Sequence, residues 1–151
     1  MYEISLRDRN GLAKCLRQLH SVLLRCARSD YIRENELKAE PAPGELLMLV
    51  TQNESFAWLR SLSELMAQID ELADDPDSAL NTLLQASVRG AVEHLLTPAP
   101  GDSSTFAAKY ARHLHDDPEV TMAHAAVKQL LLAWPKPLAE VDPLQSFIRG
   151  K

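Results

Sequence analysis

Apolar side chains recur along this 151-residue chain with the three-and-four spacing of an amphipathic helix, and five separate stretches show it. Between Gly11 and Asn35, residues Leu12, Leu16, Leu19, Leu23 and Cys26 fall in one narrow stripe, with Cys15 and Val22 on its flank. Lys14, Arg17, Ser21, Arg25 and Arg28 occupy the opposite face. The stripe fails near its end, where Asp30 falls among the apolar positions and Ile32 on the basic face. The pattern therefore predicts a helix that either stops there or changes partner.

Lys38 to Glu45 contains Pro41, Pro43 and Gly44 and reads as a linker. Leu46 to Val50 is a run of five apolar residues that a buried strand would also show, but no second strand is visible to pair with it, so it is read as the opening of the second helix. From Ser55 to Ala73, Trp58, Leu59, Leu62, Leu65, Met66, Ile69 and Leu72 share one face and Arg60, Glu64, Gln68 and Glu71 the other. Whether Gln52 to Ser55 interrupts this helix is open at the level of pattern. Leu80, Leu83, Leu84, Val88, Ala91, Val92 and Leu95 define a third helix ending at Thr97-Pro98. After a loop from Pro98 to Ser104, a fourth carries Phe106, Tyr110 and Leu114, with Ser103 or Ser104 as its cap. A fifth presents Val120, Ala123, Val127, Leu130, Leu131 and Trp134 and is stopped by Pro135-Lys136-Pro137, and Leu144, Phe147 and Ile148 suggest a last helical turn.

Asp75-Pro76, Asp117-Pro118 and Asp142-Pro143 punctuate this series. Aspartate is a favoured N-cap because its carboxylate accepts the free N–H groups of the first turn, and proline suits the first helical position because it has no N–H to leave unpaired. The expected fold is all-α: one domain spanning 1–151, a compact and mostly antiparallel bundle of four main helices with one or two short extra helices.

Composition agrees: 46% of residues are apolar and 25% charged, the balance of a globular chain, while only 5% are aromatic, so leucine and alanine carry the core. No window holds the ~18 uninterrupted apolar residues of a membrane span, and the first residues lack the basic-then-apolar order of a signal peptide. A cytoplasmic protein is expected, with neither a membrane span nor peripheral membrane contact. Net charge is −5, yet within the first 33 residues Arg7, Arg9, Lys14, Arg17, Arg25, Arg28 and Arg33 stand against Glu3, Asp8 and Asp30. The acidic total argues against nucleic acid as the partner.

Chemistry is sparse. Cys15 and Cys26, on one helix, lie about 16 Å apart at ~1.5 Å per residue, too far for a disulfide, and are expected as reduced structural thiols. Metal-binding bundles present Glu-x-x-His pairs, and none occurs among the surroundings of His20, His94, His113, His115 and His124. His113, His115, Asp116 and Asp117 with His124 form the one candidate cation cluster, set against the reading that His113 and His115 simply face the carbonyls of a helix end. Asp70 is a lone carboxylate on the flank of its helix. Phosphate-loop, nucleophile-elbow and paired-cysteine motifs are absent. No catalytic, cofactor-binding or metal residue is therefore assigned, and no cofactor is expected.

What remains is interaction. The ridge Lys14, Arg17, Arg25 and Arg28 can meet an acidic surface or pair within the fold, and no aromatic side chains interleave it for base stacking. A helix from Gly11 to Asn35 would be about 37 Å long and overhang a ~30 Å bundle, exposing Tyr31 and Ile32 to a second chain. The expected function is a non-enzymatic interaction or regulatory module, a homodimer or bound to a protein partner. The competing class is a bundle that binds a metal or small ligand, with enzymatic activity as its strongest form.

Overall fold

A computed structural model describes residues 6–39, 41–74, 82–97 and 105–136. These form seven helices, and no strand occurs among the described residues. α1 runs Leu6–Glu34, α2 Pro43–Gln52, α3 Glu54–Ala57, α4 Arg60–Asp74, α5 Thr82–Leu96, α6 Thr105–Asp116 and α7 Pro118–Leu131. α1 is the central member, packing on α7, α4 and the short α3, while α5 meets α4, α6 and α7. The bundle expected from the apolar stripes is present.

The stripe of α1 explains its place. Leu12, Leu16, Leu19, Leu23 and Cys26 are all buried, as are Leu62, Leu65 and Ile69 of α4 and Val120, Ala123, Val127 and Leu131 of α7. Burying each such leucine or valine contributes about 1.5 to 3 kcal/mol, so these three stripes dominate the stability of the fold. α1 begins at Leu6, earlier than Gly11, and does not stop at Asp30. It closes at Glu36, whose φ of 52° lets Leu37 N–H reach Ile32 C=O (3.0 Å) and Glu36 N–H reach Arg33 C=O (3.3 Å).

The ambiguous Leu46–Val50 run is helix, inside α2. Asn53 answers the question about Gln52 to Ser55: its extended backbone (φ −89°, ψ 137°) ends α2, and α3 follows at once. Asp117 caps α7 as its sequence signature requires, with one carboxylate oxygen accepting Glu119 N–H at 2.9 Å and Pro118 in the first turn. Asp75-Pro76, Asp142-Pro143, the Ser103 or Ser104 cap and the Leu144 to Ile148 turn lie outside the described residues. Among those described, no helix is long and apolar enough to cross a membrane.

Three of the aromatic side chains and two histidines form a line of rings. The His113 ring stacks on Trp58 (centroids 5.7 Å apart), Trp58 meets Phe106 (5.8 Å), Phe106 stacks on Tyr110 (5.2 Å), and Tyr110 meets His124 (5.7 Å). This line of rings joins the α3–α4 turn to α6 and α7. Arg89 of α5, itself buried, donates from Nη1 to the Trp134 carbonyl at 2.6 Å and pairs with Glu93, which pins the turn after α7 to α5.

Candidate functional site

A polar cleft opens where α1 passes the end of α6 and the start of α7. Its volume is about 310 Å³, and Asp30 and Asp117 anchor its walls. Asp30 stays in the apolar stripe of α1 because three side chains converge on it: Arg33 Nη2 donates to Oδ1 (2.8 Å), Arg112 Nη2 donates to Oδ2 (2.7 Å), and His113 Nε2 lies 3.1 Å from Oδ2. A buried carboxylate without such partners would be strongly unfavourable. The helix therefore continues through Asp30 with its register intact, and the polar residue marks a contact with α6.

Asp117 is the second anchor. Arg25 Nη2 donates to its Oδ2 (3.1 Å) and to Glu119 Oε2 (3.2 Å), and the Cys26 thiol donates to the same Oδ2 at 3.4 Å. Loss of water would push the Asp117 carboxyl up, but the Glu119 N–H, the Cys26 thiol and the Arg25 guanidinium together hold it below the ordinary carboxylate value. Burial, then the hydrogen bond to Asp117, pushes the Cys26 thiol up to about 11. At neutral pH it is protonated, the wrong form for a nucleophile or metal ligand.

His113 completes this group of polar side chains. Burial lowers its pKa more than the neighbouring Asp30 raises it, and Arg112 lowers it further. The imidazole is thus shifted toward its neutral form, and its ring stacks on Trp58. His115 points outward to Asp116 (2.8 Å, both exposed), and His124 Nδ1 lies in hydrogen-bond contact with the Tyr110 hydroxyl at 2.6 Å. The five-residue cation cluster is consequently not assembled, and no group of three potential metal-ligating side chains occurs among the described residues. His20 Nε2 lies 2.9 Å from Ser63 Oγ, but the Ser63 hydroxyl is also directed at the Leu59 carbonyl (3.3 Å), as in an ordinary helix serine. Asp70 is exposed, Cys15 half-buried, and both cysteines are free.

Three buried or half-buried histidines set the response to acid. Burial lowers the pKa of His20, His113 and His124 below the ordinary 6.5. The unfolded chain takes up protons near pH 6.5 that the folded chain refuses, so the stabilising effect of pH is complete above that value and is lost as pH falls toward the folded-state pKa values. The urea midpoint is expected to drop between pH 7.5 and pH 5.5. A midpoint that stayed level or rose would contradict neutral burial of these rings.

The residues of the basic ridge differ in their surroundings. Lys14 and Arg17 are exposed, Arg28 is half-buried, and Arg25 turns to the acids of α7. Tyr31 packs on Phe56 with ring centroids 5.8 Å apart, and Ile32 is half-buried, so this end of α1 does not overhang bare. The unpartnered apolar surface lies elsewhere. α2 buries none of its residues: Leu46, Leu49 and Val50 are half-buried, while Leu47 and Met48 are 66% and 59% exposed. Five consecutive apolar residues read as a core element in sequence, and periodicity alone carried no signal that the core would leave them outside. Compared with protein families, with curated proteins and with solved structures, the chain matches none.

Proposed function

We propose that this protein is a non-enzymatic interaction module whose docking surface is the outward side of α2, and that it takes an amphipathic helix of a partner protein with basic residues flanking its apolar side. The observation that carries this reading is a helix of leucine, methionine and valine with no buried residue. Exposed large apolar side chains placed together mark a contact surface far more often than scattered ones do. Methionine and leucine without charge on the outward strip Gly44, Leu47, Met48 and Thr51 suit helix-on-helix packing. Glu45 is exposed on α2 itself, and the exposed residues leading into α2 from the end of α1 carry Glu34 and Glu36 against Lys38, while Arg33 is committed to Asp30. Charge complementarity therefore favours a basic partner.

The polar cleft supports the non-enzymatic side of the reading, since its thiol is protonated and both Asp30 and Asp117 are engaged by arginines. We place the protein in the cytoplasm, which suits its two free thiols. A photo-crosslinking residue at Met48, in the source cell, tests the proposal, with the same residue at exposed Glu64 as control. The expected result is a discrete adduct from position 48 only, lost on Leu47→Glu, whose linked peptide carries apolar residues at three-and-four spacing flanked by Lys or Arg. No adduct, an equal adduct from position 64, or linkage only to a second copy of this chain overturns it.

A further inference from the structure

α7 is apolar on two sides. Its inner side buries Val120, Ala123, Val127 and Leu131 against the bundle. The opposite side carries Met122, Ala125, Ala126 and Gln129, and the turn that follows the helix continues it with Leu132 and Ala133, all exposed, at the same three-and-four spacing and without a charge. Met122 is 72% and Leu132 67% exposed, the two barest large apolar side chains among the described residues. A helix on the surface of a globular protein ordinarily turns charged residues to water. Here charge is confined to the ends and edge: Glu119 is exposed in the first turn, Lys136 is exposed beyond the last, and Lys128 lies half-buried at the edge with Nζ 3.4 Å from Thr97 Oγ1.

We propose that this face is a self-association surface, on which α7 of a second copy of the chain packs antiparallel about a two-fold axis passing near Ala126 and Gln129. Three features select a second copy and this direction. An antiparallel pair sets Met122 of each copy over Leu132 of the other, with the alanines between them permitting an axial separation near the ~8 Å lower limit for packed helices. It also sets the Glu119 end of each helix beside the Lys136 end of the other, whereas a parallel pair would place like charges together. Gln129 falls near the axis, where its amide can donate to and accept from its own counterpart. The proposal uses a surface separate from α2 and stands or falls independently of the reading above.

One helix face buries less than the ~800 Å² per partner of a standard interface, so dissociation in the micromolar range is expected. Sedimentation equilibrium of the full chain from about 1 to 200 μM tests it, and so does a cysteine scan of α7 under mild oxidation. The expected result is a monomer–dimer equilibrium whose dissociation constant rises at least ~100-fold in the Met122→Glu, Leu132→Glu double variant and roughly tenfold in Lys136→Glu. Both changes are at exposed positions, and circular dichroism checks that the variants remain folded. Ala126→Cys should form an interchain disulfide readily, and Leu132→Cys alone should not, because an antiparallel two-fold brings only positions near the axis together. A monomeric mass throughout, the result if residues 137–151 of the same chain cover the face, overturns the proposal. So does a dimer indifferent to Met122→Glu, or one that crosslinks at position 132 with itself.

Discussion

Asp30→Ala is expected to lower stability by about 2 kcal/mol, although the position lies in an otherwise apolar stripe where a hydrophobic residue would be the natural occupant. Asp30 is buried and holds Arg33, Arg112 and His113 at 2.8, 2.7 and 3.1 Å. Removing one member of a fully buried ion pair costs about 3 to 5 kcal/mol, but Arg33 and Arg112 are half-exposed or more and can turn to water, so the smaller figure applies. Asp30→Leu restores apolar contact and is expected to lose only about half as much. In a chain of this size each kcal/mol moves the thermal midpoint by ~2 to 4 °C, so the alanine variant should melt about 6 °C early. The His113 pKa, followed by NMR, should fall further in either variant because Asp30 is its main raising influence. An alanine variant with an unchanged midpoint would mean that the carboxylate is merely tolerated.

Asp30 also shows where the sequence stops being legible. Its place in the stripe follows from helical period alone, and so does the inference that something must compensate it. One compensating group, Arg33, is three residues along the same helix, but Arg112 lies 82 residues away on α6 beside His113, and nothing in local spacing names that pair. The Asp117 cap is the opposite case. Its chemistry acts between adjacent residues, so Asp117-Pro118 predicts the start of α7 before any packing is known. Helices whose stripes face the common core were readable for the same reason: burial of Leu12 to Cys26, Leu62 to Ile69 and Val120 to Leu131 is written in their spacing.

What a stripe does not contain is the address of its partner. Leu46 to Val50 has the composition of a core segment, and only the three-dimensional arrangement leaves α2 on the outside. The outer side of α7 was hidden by a related effect, because the inner stripe accounts for enough apolar residues to satisfy a reading for one face. The usable signal was an absence, a helical side from Met122 to Ala133 with no charge on it. Conversely, basic residues on α1 looked like a continuous ridge, but Arg25 is consumed by Asp117 and Glu119, which are distant in sequence and adjacent in space.

Tyr110→Ala is expected to be the most damaging single change, at about 3 to 5 kcal/mol, because it deletes a fully buried aromatic ring from the middle of a line of rings. The ring stacks on Phe106, which in turn meets Trp58, so the cavity left behind lies between α6 and α7 where little can collapse into it. Tyr110→Phe separates packing from hydrogen bonding. It keeps the ring and removes only the hydroxyl in hydrogen-bond contact with His124 Nδ1 at 2.6 Å, and since His124 is half-exposed, water can replace the hydroxyl at a cost of about 1 kcal/mol. The His124 pKa, lowered in the native protein by burial and by Lys128, should move upward in the phenylalanine variant, because a hydrogen bond to the neutral ring has been lost. Denaturant unfolding of both variants, with His124 titrated by NMR, checks the division. If Phe and Ala cost the same, the hydroxyl rather than the stacked ring holds α6 against α7.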